Sequence, residues 1–133
     1  EQTRLTAYLA AGGNLFASGA DIANDLDRSV TVGLTLMRLH DATSGEVLMV
    51  GFMNEEAWTR TQDSGYVTFF SRTRNTLWMK GETSGNRLKV LATLVDCDDD
   101  TVLLKVEREG DGNVCHTGER TCFYRTVPAE GAK

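Results

Sequence analysis

Glu46-Val47-Leu48-Met49-Val50-Gly51-Phe52-Met53 runs directly into Asn54-Glu55-Glu56-Ala57-Trp58, and this junction decides the fold. The first eight residues are an apolar run fit for a buried strand. Asn54 is a good helix N-cap, and Glu55 and Glu56 fall in the first turn, where the helix dipole favours acids. A helix is therefore expected over about 54–64, ending near Gly65. Upstream, Asp41-Ala42-Thr43-Ser44-Gly45 has turn composition, and Thr31 to Leu39 alternates weakly, so the strand at 46–53 is expected to close a hairpin.

Further along, Tyr66 to Ser71 is aromatic and β-branched, hence a strand. Leu77-Trp78-Met79, Leu88 to Val95, Thr101 to Glu107 and Thr121 to Val127 continue the series. Asp98-Asp99-Asp100 reads as a tight turn and Gly110 to Asn113 as a loop. Residues 1–30 are rich in Ala, Gly, Asp and Asn, with a short helix conceivable over Asp21 to Arg28. No internal repeat or low-complexity tract stands out. The pattern is mainly β (α+β) with one principal helix.

The 133 residues suit one domain. An apolar fraction of 41% and a charged fraction of 25% are ordinary for a globular protein. A net charge of −5 argues against a general nucleic-acid binder, which carries a basic footprint. A few local cations still suffice for a phosphorylated small molecule. No run approaches the roughly 18 to 20 apolar residues that span a bilayer. Leu5 to Ala20 is broken by Gly12-Gly13-Asn14, so neither membrane nor secretion is expected, and the cytoplasm is the default. Three cysteines cannot all pair within one chain, and in a reducing compartment they read as buried thiols, metal ligands or nucleophiles.

Four segments carry chemistry. In Val95-Asp96-Cys97-Asp98-Asp99-Asp100, an extended backbone through Asp98 would put Asp96 and Asp98 on one face and Cys97 on the other. Asp100 would curl back from the turn. Carboxylates suit magnesium and a thiolate suits zinc, although a solvated acidic turn has the same composition. In the second segment, Cys115 and Cys122 bracket His116, Gly118, Glu119 and Arg120. Six intervening residues are too many for a zinc-finger knuckle, but three thiolates would leave one tetrahedral position open for water. His116 beside a ligand could shuttle a proton. The third, Lys80-Gly81-Glu82-Thr83-Ser84-Gly85-Asn86, offers glycines, hydroxyls and a cation for an anion, or is simply a hairpin loop. The fourth, Ser71-Arg72-Thr73-Arg74, offers two guanidiniums to a phosphate. Phe69, Phe70 and Trp78 are aromatic candidates for stacking on a base, or core residues.

Taken together, these segments resemble the phosphoribosyl-AMP cyclohydrolase family from about Gly33 to Arg125. The resemblance rests on Gly45 to Met49, Met53 to Ala57, Ser71 to Arg74, Leu77-Trp78 and Lys80 to Asn86. It continues through Asp96-Cys97-Asp98, Cys115-His116-Thr117-Gly118 and Cys122-Phe123-Tyr124-Arg125, all in one order. It implies an intertwined homodimer with barrel-like mixed sheets. It implies zinc bound by Cys97 of one copy with Cys115 and Cys122 of the other, and magnesium at Asp96, Asp98 and Asp100. The reaction implied is the third step of histidine biosynthesis, hydrolysis of the N1–C6 bond in the adenine ring of N1-(5-phosphoribosyl)-AMP. His116 is then the candidate catalytic proton carrier. Arg72, Arg74, Lys80, Gly81, Glu82, Thr83, Ser84 and Gly85 become candidates for the substrate's phosphates, and Trp78 for its purine. Residues 31–127 form the expected cyclohydrolase domain, 1–30 a variable N-terminal segment and 128–133 a tail.

The chain departs from the family where Gly33-Leu34 is followed by Thr35 rather than proline, and where His40 stands in place of a glutamine. That leaves open a paralogue acting on another phosphorylated purine-like nucleotide. A non-catalytic zinc or nucleotide-binding module is the third alternative, and it would need four protein ligands where three thiols are present.

Overall fold

In the computed structural model the described residues are 34–128. The segment 1–30 with its candidate helix, the start of the first expected strand at 31–33, and 129–133 of the tail lie outside them. Six strands and one helix follow in the order β1 (Thr35–Asp41), β2 (Val47–Met53), α1 (Glu55–Ser64), β3 (Thr68–Ser71), β4 (Thr76–Met79), β5 (Leu88–Val95) and β6 (Thr101–Arg108). Strands β2-β1-β6-β5 form an open four-stranded sheet, and β3-β4 a two-stranded one. Strand β1 runs parallel to β6, whereas the other pairs are antiparallel, so the sheet is mixed. The fold is mainly β with a single helix among the described residues.

The strand–helix junction behaves as its chemistry dictates. Asn54 Oδ1 accepts the Ala57 N–H at 2.8 Å, and Gly65 closes α1 in the left-handed region at φ 78°. Ala57, Trp58 and Thr61 form its buried face. The Thr61 hydroxyl reaches back to Ala57 O (2.8 Å) and accepts the Thr68 N–H (3.0 Å), which ties the helix to β3. Across the sheet, alternation puts Met37, Leu39, Met49, Met53, Val102, Leu104 and Val106 in one core with Trp58, Val67, Phe69 and Leu88. A Cβ at Gly51 would overlap the Phe69 ring, so the absent side chain lets that ring lie against β2. Phe69 in turn stacks on its cross-strand partner Trp78, with centroids 4.7 Å apart.

Two expectations change. Thr121 to Val127 is not a strand. It touches the edge of β2 through Cys122 N–H to Leu48 O (2.8 Å) and the Thr121 hydroxyl to Val47 O (2.7 Å), then leaves. Its apolar residues, Phe123 and Val127 among them, are exposed, so among the described residues there is no ladder for them to join. The extended run through Asp98 is also absent, because the turn begins at Cys97.

The core face of the sheet ends in charge rather than hydrocarbon. Asp41 and Arg108 close β1 and β6, and Arg108 Nε donates to Asp41 Oδ2 at 2.8 Å. Asp41 Oδ1 accepts the N–H groups of Thr43 (3.0 Å) and Ser44 (2.9 Å), building the turn that composition had marked. The Ser44 N–H, helped by the Arg108 guanidinium and opposed by burial, lowers the Asp41 pKa to about 2. A depressed carboxyl stabilises the fold above its unfolded value near 3.9 and loses that contribution as pH falls through about 2. With solvent screening, the amount is at most about 2 kcal/mol. Urea midpoints measured at about pH 5 and about pH 2 should therefore fall further for wild type than for Asp41→Asn. Equal falls would contradict the assignment.

Candidate active site

The loop after β6 brings two of the three cysteines together. Cys115 N–H donates to Glu119 O at 3.0 Å and Gly118 N–H to Cys115 O at 3.0 Å, so the chain doubles back tightly. The edge bonds from Thr121 and Cys122 to β2 then hold the returning limb. As a result Cys122 is carried back toward Cys115, close enough for each thiol to shift the pKa of the other. The Thr117 hydroxyl donates to Cys115 Sγ at 3.0 Å, and His116 Nδ1 lies 4.0 Å from the same sulfur.

Thr117 above all, and then Cys122 and the nearby Lys80 ammonium, lower the Cys115 pKa. Cys122 is pushed up, first by desolvation and then by the Cys115 sulfur beside it. The two thiols are thus pushed apart in pKa, Cys115 down and Cys122 up, and a soft cation bound by both would favour the ionised form of each. Cys97 is exposed, and in the same chain it does not complete a three-ligand group with the other two.

Carboxylate oxygens of Asp96, Asp98 and Asp100 lie within 4.8 Å of one another. A turn gathers them, not strand alternation. Asp96 Oδ1 accepts the N–H groups of Asp100 (3.0 Å) and Thr101 (3.1 Å), and Asp99 takes a positive φ of 61°. Desolvation works against ionising Asp96, but these bonds outweigh it and lower its pKa, whereas sharing with Asp96 raises that of Asp100. An all-oxygen cluster of this kind fits a hard divalent cation.

The loop from Lys80 follows β4 and closes on itself. Gly85 N–H donates to Gly81 O at 2.8 Å, and Asn86 Oδ1 accepts the Asp111 N–H at 3.1 Å. Glu82, Thr83, Ser84 and Gly85 are exposed, and the half-buried Lys80 lies close enough for its charge to lower the pKa of both thiols. Arg72 is not free in solvent, since its guanidinium lies 4.0 Å over the Phe52 ring. Arg74 is exposed. Trp78 has one face against Phe69 and is half-buried. Sequence reasoning gave no role to Thr117 or to Phe52. A hydroxyl two residues after a cysteine was the available signal for the first, but nothing local marked the second.

The family model of phosphoribosyl-AMP cyclohydrolase matches residues 49–124. Curated relatives carrying that name are similar over most of the chain. The protein of Desulfatibacillum aliphaticivorans is 52% identical over 106 residues, covering 80% of this chain and 84% of its own. That of Solibacter usitatus is 50% identical over 105 residues (79% and 82%), and that of Brucella abortus strain 2308 is 52% identical over 101 (76% and 85%).

Proposed function

Because the chain belongs to the phosphoribosyl-AMP cyclohydrolase family, we propose that it opens the adenine ring of N1-(5-phosphoribosyl)-AMP at a zinc site shared by two copies of the chain. It is a hydrolase of histidine biosynthesis. The observation that carries the reading is the hydrogen-bonded turn that brings Cys122 back toward Cys115, with Cys97 of the same chain left out of the group. Two adjacent thiols with a third supplied from elsewhere fit a three-sulfur zinc site with an open position. Cys97 of a second copy is the donor that completes it.

An exposed apolar face supports that second copy. On the side of the sheet away from the core, Val50 and Leu91 are exposed, and Leu36, Arg38, Leu94 and Leu103 line a hollow of about 400 Å³. A homodimer with intertwined, barrel-like sheets covers this face and offers the exposed 121–127 limb a neighbour. The catalytic domain is 31–127, flanked by the segment 1–30 and the tail 128–133, and it works in the cytoplasm. No helix among the described residues is long and apolar enough to cross a membrane.

When bound, zinc acidifies water to a pKa of about 7 and supplies a nucleophile at neutral pH. The N1-substituted ring is cationic, so C6 is the electrophile, and the C6–N1 bond breaks with N1 leaving as an amidine. His116, next to Cys115, carries the proton between the attacking water and the leaving nitrogen. Lys80, Arg72, Arg74 and the Gly81–Gly85 loop, with Glu82, Thr83 and Ser84, hold the phosphates by charge and hydrogen bonds. The half-buried Trp78 ring takes the purine. Magnesium at Asp96, Asp98 and Asp100 is the second ion of the site.

The direct test is to add zinc-replete protein to N1-(5-phosphoribosyl)-AMP and follow ring opening by absorbance. Turnover is expected, and substrate left intact would sink the reading.

A further inference from the structure

Two loops reach the candidate active site from different directions, and both are tied to the short segment that follows β6. Glu109 N–H donates to Arg87 O at 2.9 Å, and Asp111 N–H to Asn86 Oδ1 at 3.1 Å, so the segment fixes the end of the Gly81–Asn86 loop. The same segment then delivers Val114 to the core and Cys115 to the thiol pair. What fixes the segment itself is Arg108. Its Nε donates to Asp41 Oδ2 at 2.8 Å, and its Nη1 to Gly112 O at 2.7 Å, three residues before Cys115.

Gly112 sits at φ 82°, and a side chain there would meet Arg108 Nη1 at 3.4 Å, so carbonyl and guanidinium are closely fitted. Asp41 is itself held by the N–H groups of Thr43 and Ser44, which makes it a rigid base for the arginine. Beside this link lies a hollow of about 490 Å³, lined by Asp41, Ser44, Arg108, Asp111, Gly112 and Arg120. On that side the segment therefore depends on hydrogen bonds, not on packed side chains.

We propose that Arg108, backed by Asp41, is a positioning residue for metal capture, setting the Gly112 carbonyl and through it the place where Cys115 meets Cys122. The proposal rests on reading those two thiols as zinc ligands. Arg108 touches neither metal nor substrate. Its planar fork makes two bonds in fixed directions, which the single ammonium of a lysine cannot reproduce.

The test measures zinc affinity of the purified chain by competition with a chromophoric chelator, alongside the thermal midpoint and, at saturating zinc, kcat and KM. Arg108→Lys and Arg108→Met should each weaken zinc binding by about ten-fold to a hundred-fold. At saturating zinc, kcat should fall while KM stays within about two-fold. Val102→Ala opens a cavity on the same strand, away from the loop, and should lower the thermal midpoint while leaving zinc affinity intact. Wild-type zinc affinity in Arg108→Lys overturns the proposal, as does an equal loss in Val102→Ala. Arg108→Lys keeps charge and length, and its zinc affinity stays decisive should Arg108→Met not fold. A wild-type chain that takes up no zinc overturns the ligand reading, and this proposal with it.

Discussion

Replacing Cys115 by serine should cost the protein its zinc and its turnover while leaving the fold standing. The side chain is half-buried in a loop outside the hydrophobic core, so its removal opens no cavity there. What it takes away is the thiol to which the Thr117 hydroxyl donates at 3.0 Å and whose pKa that bond, above all, lowers. A serine hydroxyl is not ionised at neutral pH and is a harder donor than zinc prefers. Without zinc, the bound water loses its lowered pKa of about 7 and is no longer ionised at neutral pH, so kcat should drop by at least about a thousand-fold. Zinc content by metal analysis should fall from about one per chain to near none, with an unchanged circular-dichroism spectrum. A serine variant that keeps zinc and turnover would remove Cys115 from the site.

The second large effect is expected at Gly81. It sits at φ 78°, and a Cβ there would run into the backbone of Asn86 and Arg87, which cannot swing aside as a side chain can. Gly81→Ala therefore opens the loop that Gly85 N–H closes onto Gly81 O, displacing Lys80 and the exposed hydroxyls of Thr83 and Ser84. A loop misplaced by an ångström costs on the order of a hundred-fold in kcat/KM. Gly85 makes the comparison sharp. Its φ is 81°, but nothing lies within 4 Å of where its Cβ would be. Gly85→Ala should meet only the left-handed backbone cost, about 1 kcal/mol, and keep most activity. Steady-state kinetics on the two variants decide the matter, and equal losses would refute the collision argument.

Much of the architecture was legible because local chemistry and tertiary context agreed. Asn54, Glu55 and Gly65 carry the start and stop of α1 in their own side chains and backbone freedom, and the helix lies where they put it. The Asp41 to Gly45 turn was equally explicit, although composition could not say that Asp41 would also hold Arg108 from 67 positions away. Failure came where periodicity had no partner to act on. Phe123, Tyr124 and Val127 have strand composition, yet a strand needs a neighbour, and among the described residues the limb meets β2 at its start alone. The Asp96–Asp98–Asp100 group formed as expected but by another route. Strand alternation alone predicts Asp96 and Asp98 on one face, whereas a turn capped by the Asp96 carboxylate does the gathering. The three cysteines were visible from the start, and folding sharpened them into a pair and an outlier.

That outlier allows the sharpest measurement of the proposed two-chain site. Cys97→Ser and Cys122→Ser chains should each be inactive alone, since every shared site then lacks one sulfur. Co-expressed and purified together, half of the dimers carry one of each, and in those dimers one of the two sites has all three cysteines, so about a quarter of wild-type activity should return. No recovery in the mixed dimers, or full activity in Cys97→Ser alone, would contradict a zinc site shared between copies.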